Sequence, residues 1–112
     1  MKFVGRVPRA LIEAKQLLRM KYPPWDVMVT IVEGEPFAVE DACNHAGASL
    51  SEGELDESGK CIVCPMHAYV FDLKTGKCLA PVGLCDDQRT FVARLEGDDV
   101  AVYDPANVVI VK

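Results

Sequence analysis

The chain holds only two histidines, and each stands close behind a cysteine. Cys43-Asn44-His45 reads C-x-H, and Cys64-Pro65-Met66-His67 reads C-x-x-H. Eighteen residues, Ala46 to Val63, separate the two pairs. Two thiolates and two imidazoles delivered by two short loops are the donor set with which proteins hold a metal centre. This constrains the fold strongly, because two separate segments must converge on one point. Two neighbouring loop tips carried on rigid strands meet that demand.

The rest of the chain sets the bounds. At 112 residues it reads as one domain, 1–112, long enough to bury a core. A formal net charge of -5 argues against nucleic acid as a partner. The opening Met1-Lys2-Phe3-Val4-Gly5 begins no apolar run with a cleavage site. No stretch approaches the roughly 20 apolar residues of a membrane span. Five cysteines without a secretory leader suit a reducing cytoplasm.

Local patterns favour an all-β fold, a sandwich or a partly open barrel. Phe3 to Val7 reads as a first strand. Pro8 to Ala14 has helical composition, with Pro8 suited to the first helical position. Gln16 to Tyr22 fits either a strand or a helix by spacing, and Pro23-Pro24 ends it. Val27 to Val32 and Phe37 to Glu40 form a hairpin turning at Glu33-Gly34-Glu35. Further hairpins are expected around Asp56 to Lys60, from Val70 to Leu79 through Thr75-Gly76, and from Thr90 to Tyr103 through Glu96-Gly97-Asp98. Both Cys-His pairs then fall at strand ends.

The stretch from Cys43 to Pro81 resembles the Rieske iron-sulfur proteins. Cys43-Asn44-His45-Ala46-Gly47-Ala48-Ser49-Leu50 is similar to the family's first ligand loop, and Cys64-Pro65-Met66-His67 to its second. Phe71-Asp72, Thr75-Gly76-Lys77 and Leu79-Ala80-Pro81 agree as well, the last resembling the proline loop that covers the cluster. The resemblance spans about residues 37 to 104 and is weak before Pro36. It implies antiparallel sheets with a small cluster-binding subdomain of two loops, about residues 42–83. It also implies a Rieske-type [2Fe-2S] cluster, with Cys43 and Cys64 on one iron and His45 and His67 on the other. Neutral imidazoles in place of two thiolates raise the potential above that of an all-cysteine cluster. In the family the histidine edges reach the surface.

Departures from the pattern refine this. Ala68 follows His67 where the family usually has glycine; if that position needs a positive φ, alanine costs roughly 1 kcal/mol or more. Tyr69 stands where high-potential members carry a serine bonding a cluster sulfide. The disulfide that ties the two loops in those members would need cysteines at Ala48 and Met66. These absences imply the low-potential ferredoxin branch, near -150 mV. The alternative occupant of the quartet is zinc, which takes the same ligand types. Cys61, Cys78 and Cys85 read as buried or free thiols, with a Cys78–Cys85 disulfide as the alternative. Trp25 reads as a packing residue. Asp86-Asp87, Glu96 and Asp98-Asp99 read as solvated turns.

With both histidines assigned to the cluster, none remains for a mononuclear iron site of two histidines and a carboxylate. The reading is therefore a carrier and not an enzyme. The resemblance implies a soluble, monomeric ferredoxin component of a ring-hydroxylating dioxygenase system. Its implied partners are a flavin-dependent ferredoxin reductase, which supplies single electrons, and a terminal oxygenase, which receives them. The alternatives are the small subunit of an assimilatory nitrite reductase and a redox-sensing or zinc-binding accessory module. Docking is expected at a small apolar tip formed by Ala46, Ala48, Met66, Pro81 and Val82, with the acidic remainder steering approach.

Overall fold

A computed structural model describes residues 1–24, 26–43, 48–66, 68–80 and 87–105. Its strands are β1 (Lys2–Pro8), β2 (Leu18–Met20), β3 (Val27–Val32), β4 (Glu35–Glu40), β5 (Glu54–Leu55), β6 (Cys61–Val63), β7 (Val70–Asp72), β8 (Cys78–Ala80), β9 (Thr90–Glu96) and β10 (Asp99–Asp104). A short helix α1 (Arg9–Lys15) and a 3-10 turn (Leu50–Glu52) complete the described elements. Six strands form one antiparallel sheet in the order β1-β10-β9-β4-β3-β2, and β5-β6-β7-β8 form a second, smaller one.

The large sheet curls until its two edges approach each other. The Tyr22 hydroxyl, just past β2, donates to Asp104 Oδ2 at the end of β10, 2.7 Å away. On β1, Gly5 lies so close to the Met20 side chain of β2 that an added Cβ would sit 3.1 Å from its sulfur. Helix α1 packs against both β1 and β2, and its Ile12 is fully buried. Ile12, Met20, Val27, Val29, Ala38, Phe91, Val100 and Val102 fill the inside.

Strands β3 and β4 are buried on both faces, and strand alternation explains why. Val27, Val29 and Ala38 point into the curled sheet. Met28 and Val39, paired across the ladder, point the other way. There they join Leu50, Ile62, Phe71, Leu73 and three cysteines in a second core. The small sheet therefore rests on the back of the large one and shares its hydrophobic support.

Most expected elements appear where the local patterns put them. The ambiguous stretch before Pro23 resolves as strand β2. Pro8 differs by one position: it is the extended N-cap of α1, with ψ 135°, and the helix begins at Arg9. The first hairpin is tighter than expected. Glu33 and Gly34 alone turn it, at φ 52° and 81°, so Glu35 and Pro36 already belong to β4. Trp25, read as a packing residue, and Cys85, with the Cys78–Cys85 alternative, lie outside the described residues.

Candidate metal centre

The first candidate loop leaves β4 and closes on itself. Ala42 and Ser49 bridge in antiparallel fashion. The Cys43 N–H donates to the Ala48 carbonyl at 2.7 Å, and the Leu50 N–H to the Asp41 carbonyl at 2.7 Å. The Asp41 side chain, only 2% exposed, sits inside this closure. Its Oδ1 accepts the Ser51 N–H at 2.8 Å, and its Oδ2 accepts the Ser49 hydroxyl. A buried carboxylate satisfied by the loop's own donors holds that loop in one shape. Gln88, also buried, adds a clamp from outside. Its Nε2 donates to the carbonyls of Glu40 and Ala42, each at 2.9 Å, one on either side of Asp41.

The second loop leaves β6 directly at Cys64. The Cys64 N–H donates to the Tyr69 carbonyl at 2.8 Å, which closes the loop. The Met66 N–H points back at the Cys64 sulfur, 3.5 Å away. Ala68 has φ 53°, the left-handed conformation that alanine adopts at a cost of roughly 1 kcal/mol.

These two loops bring Cys43 and Cys64 together. Both thiols are buried at 2% exposure, neither is in a disulfide, and the two side chains are within hydrogen-bonding reach of each other. Burial raises the pKa of the Cys64 thiol; the Met66 N–H opposes this, and the neighbouring Cys43 sulfur adds to it. The buried Cys64 thiol resists ionisation on its own. A bound metal supplies the positive charge that makes both thiolates favourable. The described donors therefore fit an iron-sulfur group: paired soft ligands, an amide aimed at one sulfur and an apolar surround. His45 and His67 lie outside the described residues, as do Asn44, Ala46, Gly47 and the segment 81–86 with Pro81 and Val82.

Close backbone approaches fix the two loops to their surroundings. A Cβ on Gly53 would meet the Val63 carbonyl oxygen at 2.0 Å and Pro65 Cδ at 3.2 Å. Only glycine lets the end of the first loop lie against the residue that precedes Cys64. Gly76, at φ 76°, similarly abuts the Gln88 carbonyl at 2.0 Å from a built Cβ. Cys61 and Cys78 are buried as well, but on the strands of the small sheet and not in the two loops. Burial, then the charges of Asp56 and Asp72, raises the Cys61 pKa, which keeps this thiol unreactive.

Asp41, Ser49, Ser51, Gly53 and Gln88 carry the loops and were not singled out by the sequence for that role. An acid two residues before Cys43, with serines eight and ten residues after it, is a weak signal for a self-closing loop. Gln88 offers no signal, because its partners lie 46 and 48 residues away.

Curled antiparallel sheet, small loop-bearing sheet and paired buried thiols together define a class. The chain belongs to the Rieske [2Fe-2S] domain family, whose model matches residues 7–83. The match begins at residue 7, well before Pro36, where the local resemblance fades. The chain is similar to the ferredoxin component of biphenyl 2,3-dioxygenase from Rhodococcus jostii (strain RHA1), with 42% identity over 87 residues, 78% of each chain. Its fold matches the ferredoxin of carbazole 1,9a-dioxygenase from Nocardioides aromaticivorans IC177 with a TM-score of 0.81 at 22% identity, covering 92% of this chain and 98% of that one. It also matches a chain in a complex of reduced oxygenase and oxidized ferredoxin in carbazole 1,9a-dioxygenase, with a TM-score of 0.80, 26% identity and coverage of 96% and 97%. This chain is thus a Rieske electron carrier with a Rieske-type [2Fe-2S] cluster, a component of a redox system and not its catalytic subunit. When bound, such a cluster supplies one-electron exchange.

Proposed function

We propose that Cys43, His45, Cys64 and His67 hold the cluster, and that the chain passes single electrons from a flavin-dependent ferredoxin reductase to a terminal oxygenase. The observation that carries this reading is the meeting of two buried thiols from two loops, each with a histidine two or three residues further on. The oxygenase as acceptor is supported by the oxygenase–ferredoxin complex among the similar structures. Ala48 and Met66 leave no cysteine pair to bridge the loops, and Tyr69 offers no serine hydroxyl. The potential therefore lies near the low end of the Rieske range, around -150 mV. The chain works as a single-domain monomer in the cytoplasm. Among the described residues, no helix is long and apolar enough to cross a membrane.

Partners dock on the ligand-loop tip. Met66, immediately before His67, is half exposed, and Leu79, two residues before Pro81, is 42% exposed. A small apolar tip with few charges suits a transient contact, under about 1,200 Å² in total. The acidic surface steers the encounter from further away. Met66→Glu and Val82→Glu test this in a reconstituted chain of reductase, carrier and oxygenase. Both should impair transfer to the oxygenase even at saturating carrier, with the visible spectrum unchanged. Neutralising Asp86, Asp87, Asp98 and Asp99 should chiefly reduce the salt sensitivity of association. Normal transfer by the tip variants, with failure of the Asp variants at every concentration, would place docking elsewhere.

A further inference from the structure

One cation reaches the first ligand loop from another part of the chain. Arg19 extends from β2 with its side chain about half exposed. Its Nε donates to Asp26 Oδ2 at 2.9 Å, and its Nη2 lies 2.8 Å from the same oxygen. The same Nε stands 3.5 Å from Oδ2 of Asp41, the buried carboxylate inside the first loop. Hydrogen bonding to Asp26, then the charge of Asp41, raises the pKa of the guanidinium, and Glu52 adds to the effect. Asp26 is itself secured without Arg19, since the Tyr22 N–H donates to its Oδ1 at 2.9 Å.

The loop depends on Asp41 as an acceptor for Ser49 and Ser51, so a negative charge is built in two residues before Cys43. Negative charge in a poorly solvated place opposes the arrival of an electron nearby. A cation beside it offsets that opposition. Among the described residues, Arg19 makes no hydrogen bond to a backbone group of the loop, whose described closure runs through Ser49, Ser51, Ala48 and Gln88. Its contribution to the centre is therefore charge more than shape.

We infer that Arg19 is a positioning residue for charge: by offsetting the buried Asp41 carboxylate at the base of the first ligand loop, it holds the reduction potential of the centre above the value the loop alone would impose. The inference rests on the proposed ligand reading, with Cys43 in that loop. It predicts a different dependence on charge and on side-chain shape. Lysine keeps the charge and loses the fork, whereas glutamine keeps hydrogen-bonding capacity and loses the charge.

Protein-film voltammetry on the intact chain and on Arg19→Gln, Arg19→Lys and Asp41→Asn tests it, with iron and acid-labile sulfide measured on each sample. Arg19→Gln should lower the midpoint potential, Arg19→Lys should stay close to the parent, and Asp41→Asn should raise it. The gap between Arg19→Gln and the parent should narrow at high ionic strength, because the guanidinium is half in solvent. The Arg19 variants remove none of the loop's hydrogen bonds among the described residues and carry the test by themselves. A parental potential in Arg19→Gln with full iron and sulfide would overturn the inference. So would an equal fall in Arg19→Lys, or loss of the cluster in Arg19→Gln, since either would make the role one of shape. The ligand reading is judged separately, by whether Cys43→Ser and Cys64→Ser still retain iron and sulfide.

Discussion

The two sheets of this molecule are stabilised in different ways. The large one has strands of up to seven residues, a helix across its seam and a core of aliphatic side chains plus Phe91. The small one has strands of two or three residues. Its core borrows Met28 and Val39 from the large sheet, and includes the two loop thiols, Cys43 and Cys64. Apolar burial scales with area, so long strands with a closed interior can stand on that term alone. Strands this short cannot, and polar locks such as Asp41 with Ser49 and Ser51 supplement them. The large sheet is thus the support, while the small sheet is a mounting that needs further bonds to hold its shape.

The largest effect follows from removing the metal. Anaerobic chelation of iron should leave β1–β4, β9 and β10 folded while the small sheet loosens. Hydrogen exchange should show protection in β6 and β7 falling by at least about tenfold, with little change in β3 and β10. Equal loss in both sheets would mean that they form one cooperative unit and are not stabilised separately.

The next effect sharpens how the mounting is joined. Gly53→Ala places a methyl group where the Val63 carbonyl stands, so the two loops must separate. Overpacking of this kind costs about 1–3 kcal/mol. It should appear as cluster bleaching at a lower temperature than unfolding of the large sheet, followed by visible absorbance and far-UV circular dichroism on the same sample. Coincident transitions, unshifted from the parent, would show that the close approach is not under strain.

A smaller change should go the other way. Ala68 holds φ 53° in the second loop. Ala68→Gly relieves a left-handed alanine and should stabilise that loop by about 1 kcal/mol, less what glycine loses in chain entropy. The readout is a later bleaching midpoint, with the large sheet unchanged. A destabilised Ala68→Gly would mean that the methyl group packs more favourably than its backbone conformation costs.

The smallest effect concerns acid. Each region holds a carboxyl below the usual range. In the small sheet's hairpin the Ser58 hydroxyl, followed by backbone N–H groups, lowers the Asp56 pKa. On the large sheet the Arg6 guanidinium, then the Tyr103 hydroxyl, lowers that of Glu96. Each group binds its proton less readily folded than unfolded. Its contribution is therefore present above the ordinary carboxylate pKa near 4 and is lost as pH falls through the lower folded value. Asp56→Asn and Glu96→Gln should each flatten slightly the decline in urea midpoint below about pH 4, with little change in its slope above that pH. An unaltered acid limb in both variants would show that neither bond contributes to stability.

The sequence made some of these features legible and left others hidden, for physical reasons. The hairpins at Gly34, Gly59, Gly76 and Gly97 were readable because each turn is a local event, and all four glycines have positive φ. At Ala68 the sequence offers only a condition, an alanine where the family usually has glycine, and the structure supplies the positive φ. Strand β2 was not readable, because three residues cannot distinguish period 2 from 3.6, and pairing with β3 decides the matter. The two thiols were legible as a spacing. The Asp41 lock, the Gln88 clamp and Arg19 were not, since each acts across the chain on a partner whose position only the closed fold supplies.

In the proposed centre Cys43 and Cys64, with His45 and His67, hold the cluster, and the remaining cysteines do not. Iron and acid-labile sulfide, counted per chain after anaerobic reconstitution across a cysteine-to-serine series, test it most directly. The parent, Cys61→Ser and Cys85→Ser should each hold about two irons and two sulfides. Cys43→Ser and Cys64→Ser should hold neither, because an alkoxide is a poor substitute for a thiolate. One zinc without sulfide in the parent, or full iron and sulfide in either Cys43→Ser or Cys64→Ser, would contradict the account.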